Sequence, residues 1–251
     1  MSTKIISFLN HKGGVGKTTT VASLGAALAG KGYRILLVDL DAQTNLTSSL
    51  LQEEPELSVY DSLIRDKKLP IYPVKERLDL VPASSEMISI ELELAKKIGT
   101  EGRLRRALEK VEKDYEYILL DCPPSLGLVS INALAASTDV IVPLTAEALP
   151  TKGLTKIAET IELVQSSVNE QLSLSGILIT RYEKGKLSAT VEDYLRETYG
   201  EKVLETKIRK NVAIAEAPLS FVDILEYSPD SNGAKDYRAL ADEIASKMVI
   251  R

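Results

Sequence analysis

The run Lys4-Ile5-Ile6-Ser7-Phe8-Leu9, followed by Asn10-His11-Lys12-Gly13-Gly14-Val15-Gly16-Lys17-Thr18-Thr19, decides how this chain folds. A short, mostly apolar segment gives way to a glycine-rich loop, and the loop opens into an Ala/Leu-rich segment with helical period over Thr18 to Lys31. Strand, glycine loop and helix in that order make a phosphate cradle. Glycines let the backbone curl so that its N–H groups face phosphate oxygens, and the helix N-terminus adds a partial positive charge. Within the cradle Lys17 reaches the β- and γ-phosphates and the Thr18 hydroxyl ligates Mg²⁺, while Gly13, Gly14, Val15, Gly16 and Thr19 complete the lining. His11 stands five residues before Gly16, where the generic pattern carries a glycine. A single imidazole with no partner His or Cys nearby reads as a loop residue rather than a base or a ligand.

Outward from the loop, short β-branched runs alternate with longer helical segments, the signature of βαβ units around a parallel sheet. Strands are expected over Lys4 to Leu9, Ile35 to Asp39, Asp79 to Val81, Tyr117 to Asp121, Val140 to Leu144 and Gly176 to Thr180. Helices are expected over Thr18 to Lys31, Ser58 to Asp66, Ser85 to Ile98, Glu101 to Asp114, Leu128 to Ala136, Thr151 to Val168, Ser188 to Tyr199 and Gly233 to Met248. Most of the strands are apolar on successive residues, as a strand buried on both faces requires. The fold class is therefore α/β: a P-loop NTPase with a mostly parallel twisted sheet covered by helices on both faces. The stretch Gln52 to Val74, with Pro55, Pro70 and Pro73, reads as a surface excursion. With no linker, repeat or low-complexity tract, residues 1–251 form a single domain.

Composition narrows the function classes. The 31 basic and 36 acidic residues give a net charge of −5, so binding to nucleic acid or anionic lipid needs a local patch. One cysteine, Cys122, and one histidine leave no disulfide framework, Cys/His zinc site or single-chain iron–sulfur cluster. No run of about 18 apolar residues appears, and Met1-Ser2-Thr3-Lys4 leads straight into a strand without a signal-peptide pattern. The expectation is a cytoplasmic protein.

Two further strings carry carboxylates to strand ends. Val38-Asp39-Leu40-Asp41-Ala42-Gln43-Thr44-Asn45 brings two acids to the end of the second strand, where an α/β sheet opens its ligand crevice. Tyr117-Ile118-Leu119-Leu120-Asp121-Cys122-Pro123-Pro124-Ser125 is an apolar run closing on an acid, as a Walker B strand does, and Asp121 is expected to hold Mg²⁺ through water. Nothing beside Cys122 lowers a thiol pKa, so it reads as a packed small residue.

The loop holds a second lysine, Lys12, five residues before Lys17, and Lys12-Gly13-Gly14-Val15-Gly16-Lys17-Thr18 resembles the deviant Walker A motif of the ParA/MinD group of ATPases. The longer string through Thr19 is most similar to ParA and Soj partition ATPases. The resemblance extends to Gly176 through Thr180-Arg181-Tyr182, to Ile208-Arg209-Lys210-Asn211-Val212 with Glu216-Ala217-Pro218, and to Gly233-Ala234-Lys235-Asp236-Tyr237. It implies ATP and Mg²⁺ as cofactors and a homodimer in the ATP-bound state. In that dimer Lys12 would reach the partner's phosphates and Asp41 would position the attacking water. It also implies that Asp39 supports the Mg²⁺ shell beside Thr18 and Asp121, that the Pro123-Pro124 loop switches with the γ-phosphate, and that Thr180, Arg181 and Pro218 lie near the base.

The same resemblance implies non-specific DNA binding by basic residues, here Lys202, Lys207, Arg209 and Lys210, joined by Lys184, Lys186, Lys235 and Arg238. The family's basic pair before the Gly-Ala segment is replaced by Asp230 and Asn232. A ParB-like or other cargo adaptor would trigger hydrolysis, and the ATP state would sit on the nucleoid. A MinD-like membrane ATPase is an alternative, but the tail Ser246-Lys247-Met248-Val249-Ile250-Arg251 is short and lacks aromatic anchors. A P-loop ligase acting on a small molecule is a second alternative.

Overall fold

The computed structural model describes residues 3–146 and 151–248. Met1, Ser2 and Val249 to Arg251, which figure in the readings of the two termini, lie outside the described residues. The chain begins with β1 (Lys4–Phe8), α1 (Lys17–Gly30), β2 (Ile35–Asp39), α2 (Asn45–Leu50), α3 (Val59–Ile64), β3 (Tyr72–Lys75) and β4 (Leu78–Val81). It continues through α4 (Ile90–Ala95), α5 (Arg103–Leu108), β5 (Tyr117–Asp121), α6 (Leu128–Ala136), β6 (Asp139–Thr145), α7 (Thr151–Ser167) and β7 (Ser173–Thr180). The last third holds α8 (Lys186–Tyr199), α9 (Val212–Glu216), α10 (Ile224–Tyr227) and α11 (Asn232–Lys247).

The strands form one sheet of seven in the order β3-β4-β2-β5-β1-β6-β7, parallel except for β3, which runs antiparallel to β4. Successive side chains of a strand point to opposite faces, and each face here meets helices. Ile5, Leu36, Val38, Ile118 and Leu120 pack into one core, with Leu104, Leu134, Ile157 and Val191 from covering helices. Ile6, Phe8, Ile35, Leu37, Tyr117 and Leu119 pack into the other, with Val21, Leu24 and Leu28 of α1 and Leu240 and Ile244 of α11. This two-sided burial is why the strands read as unbroken apolar runs.

Helix α1 lies close on the sheet at Gly25, where a Cβ would sit 2.6 Å from Leu37 Cδ2 and 3.4 Å from Leu78 Cδ1. Gly25→Val should therefore push α1 off β2 and β4 and destabilise the fold by about 2 kcal/mol or more, measurable by chemical denaturation. A stability equal to that of the parent protein would mean that this contact gives way freely.

Four details differ from the sequence reading. The helix expected over Ser85 to Ile98 is a 3₁₀ turn, Ser85–Ser89, followed by the short α4, and the one over Glu101 to Asp114 stops at Leu108 before a second 3₁₀ turn, Glu112–Asp114. The proline-rich excursion ends in a strand, β3, paired to β4 across a bulge between Pro73 and Lys75. Helix α2 occupies a stretch to which the sequence reading assigns no element. No helix among the described residues is long and apolar enough to cross a membrane.

Candidate nucleotide-binding site

The carboxyl ends of β1, β2 and β5 lie side by side, so the loop after β1, the acids after β2 and the acid ending β5 share one crevice. In register, Phe8 faces Asp121 and Asp39 faces Asp121. The glycine loop is held at both ends. Asn10 donates from Nδ2 to the Pro143 carbonyl at 2.7 Å and accepts the Lys12 N–H at 3.0 Å. Thr180, at the end of β7, donates its hydroxyl towards the carbonyls of Val15, at 2.7 Å, and Leu144, at 3.1 Å. Gly14 and Gly16 have φ of 73° and 84°, the left-handed region that favours glycine. Gly16 caps α1 without any side-chain hydrogen bond, so the first N–H groups of the helix stay open towards the crevice.

The crevice is a cavity of about 860 Å³. Gly13, Gly14, Gly16, Lys17, Thr18 and Thr19 line one end, and Asp41 and Pro124 come in from the two neighbouring strands. The rest of the lining includes Thr180 and Arg181, the segment Ile208 to Val212, and Pro218. Val15 is 1% exposed and packs beneath the loop instead of lining it. The hydroxyl of Thr180 is bonded to the loop backbone, so this residue buttresses the cradle as well as lining the wall.

The two lysines of the loop live in opposite surroundings. Lys17 is 7% exposed and faces into the cavity, whereas Lys12 is exposed and does not line it. Facing Lys17 are buried carboxylates. Burial raises the Asp39 carboxyl to about 6, opposed by hydrogen bonds from Thr47 and from the Asp41 N–H. Asp39 accepts from the Asp41 N–H at 3.1 Å on one oxygen, and from the Thr47 N–H at 2.9 Å and hydroxyl at 2.8 Å on the other. The Thr47 hydroxyl in turn accepts the Ala83 N–H at 2.9 Å. Asp39 thus organises the turn that leads from β2 into α2, and this explains why a Ser/Thr-rich stretch is helical there. Asp41, also buried, accepts the Gln43 N–H at 3.0 Å.

Asp121 differs from its neighbours. Its two side-chain oxygens are buried with no hydrogen-bond partner among the described residues. Burial first, and the Asp39 charge second, push its pKa well up, against the nearby Thr18 hydroxyl and Lys17 ammonium. Buried acceptors of this kind suit a cation or its water shell. Cys122 is fully buried and burial pushes its thiol up to about 12, which makes it the inert packed residue expected. Past Pro123 and Pro124, the N-terminus of α6 is held from another element: Glu91 of α4 accepts the Leu128 N–H at 2.8 Å and the Val129 N–H at 3.2 Å.

The basic residues singled out as a DNA patch do not form one free surface. Lys207 pairs with Glu192 at 2.6 Å, Arg209 with Asp236 at 2.6 Å and Lys210 with Glu183 at 3.2 Å. Glu205, the one acid within the cluster in sequence, pairs with Arg196 instead. Arg238 donates to the Pro229 carbonyl. Lys184, Lys186, Lys202 and Lys235 are exposed and have no acidic partner among the described residues. Thr47 is not singled out in the sequence and Asp236 appears there without a role, because Thr47 is tied to Ala83 and Asp236 to Arg209, 36 and 27 residues away.

Residues 3–174 match the model of a family described as an AAA domain. The chain is 43% identical to the sporulation initiation inhibitor protein Soj of Bacillus subtilis over 97% of its own length and 98% of that protein's. It is 37% identical to the chromosome partitioning protein ParA of Myxococcus xanthus, over 97% of this chain and 88% of the relative. Among solved structures, cobyrinic acid a,c-diamide synthase of Mycobacterium smegmatis with bound ADP and magnesium superposes with a TM-score of 0.83 at 37% identity, covering 96% of this chain and 93% of that one. The MinD structure from Pyrococcus horikoshii, complexed with Mg-ADP, gives 0.78 at 26% identity, with 96% of each chain covered. Likeness to Soj and ParA along practically the whole chain, on the fold and crevice just described, makes this protein a member of the Soj/ParA family of partition ATPases within the ParA/MinD group.

Proposed function

We propose that the protein is a Mg²⁺-dependent ATPase whose ATP-bound form dimerises, binds DNA without sequence preference and positions a cargo, a plasmid, a chromosome or a protein assembly. A ParB-like adaptor ends each cycle by stimulating hydrolysis. The observation that carries this reading is the pair of lysines in one loop, Lys17 buried in its own cavity and Lys12 exposed outside it. A second cation that does not face its own crevice is available to a neighbouring copy. The cycle would run in the cytoplasm, on the nucleoid while ATP is bound.

The residues present fit magnesium. The orphaned oxygens of Asp121 and the hydroxyl of Thr18 would be the groups that hold it. Asp39, whose oxygens already accept three hydrogen bonds, serves as the organiser of the Asp41–Thr47 turn and supports the shell through that turn. Magnesium and ATP, when bound, supply charge neutralisation and the phosphoryl group; this chain supplies placement. Lys17 and the open N–H groups of α1 hold phosphate oxygens, and Asp41 orients the attacking water. The Arg181, Ile208 to Val212 and Pro218 wall takes the nucleoside. The Pro123-Pro124 loop, clamped at its far end by Glu91, responds to the γ-phosphate.

DNA contacts fall to the exposed, unpaired lysines 184, 186, 202 and 235, with Lys207, Arg209, Lys210 and Arg238 contributing only where their present partners release them. Binding to non-specific duplex DNA with ATP, with ADP and without nucleotide, across a salt series and alongside molecular mass, tests the cycle. Binding and dimerisation that appear together only with ATP are expected. Replacing the four lysines by alanine should weaken binding and flatten its salt dependence by about one unit of slope per lost phosphate contact. An unaltered slope would place the DNA surface elsewhere.

The likeness to a diamide synthase keeps a second reading in view, a ligase for a small carboxylic acid. Turnover that rises with such an acid and ignores DNA would favour it over the positioning cycle.

A further inference from the structure

Arg209 lines the cavity from a segment that precedes α9 and belongs to no helix or named strand. The segment is threaded beside the end of β7: the Ile208 N–H donates to the Ile179 carbonyl at 2.9 Å, the Tyr182 N–H to the Ile208 carbonyl at 2.9 Å, and the Lys210 N–H to the Tyr182 carbonyl at 3.1 Å. What fixes it from the other side is α11. Asp236 accepts the Arg209 N–H at 2.9 Å and takes the guanidinium as a fork, from Nε at 3.0 and 3.1 Å and from Nη2 at 2.6 Å. Its side chain is 11% exposed, so this pairing is shielded from water on the carboxylate side.

The next residue, Tyr237, is 1% exposed, lines the same cavity, and shares a hydrogen bond of 3.3 Å with the Thr20 hydroxyl on α1, three residues after Lys17. One turn earlier, Gly233 leaves room for Ile214 of α9, since a Cβ at 233 would meet Ile214 Cγ1 at 2.7 Å. The first turns of α11 therefore touch, in order, the α9 segment, the Arg209 wall and the phosphate-loop helix.

Building on the nucleotide reading of the cavity, we infer that Asp236 is a positioning residue: through its fork with Arg209 it sets the distance between the 208–211 wall and the phosphate loop, and so the affinity for the nucleoside half of the ligand. While paired with Asp236, Arg209 serves this strut and not a DNA surface. Phosphate binding depends on the loop and α1 alone and does not need the strut.

The test compares the full-length protein with Asp236→Ala, Asp236→Asn and Arg209→Lys for binding of Mg-ATP, Mg-ADP and inorganic tripolyphosphate, with thermal unfolding recorded for each. Asp236→Ala should weaken ATP and ADP about tenfold while tripolyphosphate stays within about twofold. Asp236→Asn keeps an acceptor for the Arg209 N–H, and Arg209→Lys keeps the charge without the fork; each should fall between the parent and Asp236→Ala. The two milder variants carry the test if the alanine variant unfolds. Parent-like ATP affinity in the folded variants overturns the inference, as does an equal loss for tripolyphosphate. A parent protein that binds tripolyphosphate but no nucleotide overturns the nucleotide reading and the inference together, and is recognised before any variant is made.

Discussion

Lys17→Ala is expected to abolish ATP binding, raising the dissociation constant by about 100-fold or more. Loss of a charge-assisted contact in a buried site costs roughly 3 kcal/mol or more, and each 1.4 kcal/mol is tenfold. The cavity geometry explains why the effect should be so large. Lys17 is buried close to the Asp121 carboxylate and shares the cavity with Asp41, so its removal leaves an anionic crevice to receive an anionic ligand. Titration calorimetry with Mg-ATP would check it, and parent-like affinity would sink the assignment of the loop.

Lys12→Ala should behave in the opposite way. Because Lys12 is exposed and does not line its own cavity, ATP affinity should change by no more than about threefold. The ATP-dependent dimer should disappear, and hydrolysis should drop by about a thousandfold, the scale of a positive charge delivered from one protein to another's transferring phosphate. Sedimentation in ATP together with phosphate release separates these effects. A Lys12→Ala protein that hydrolyses ATP as a monomer at the parent rate would remove the role in trans and leave Lys12 as a solvated surface charge.

Sequence order separates Lys17, at the helix start, from Lys12, at the loop entrance, but the role in trans given to Lys12 comes from the resemblance to partition ATPases. The six expected strands were legible because burial on both faces writes itself as continuous apolar residues. Features held by distant partners were not. Helix α2, Asn45–Leu50, has weak intrinsic propensity and forms where Asp39 and Ala83 clasp Thr47. The basic cluster from Lys202 to Lys210 has one acid within it, but the charges that meet it come from Glu183, Glu192 and Asp236, at separations of 15 to 27 residues. A charge count along the chain cannot see pairs that only the fold assembles.

Strand β3 has a bearing on how copies of this protein can associate. It is the rim of the sheet, four residues long, antiparallel to its neighbour, irregular between Pro73 and Lys75, and missing one N–H at the proline. Such a rim is a poor template for another strand. The opposite rim, β7, is occupied in part by the bridge from Val203 to Ile177, and Arg209 bridges Tyr182 just past its end. Growth of a shared sheet from one molecule into the next is therefore obstructed at both margins, which leaves helices and loops as the surfaces open to another copy.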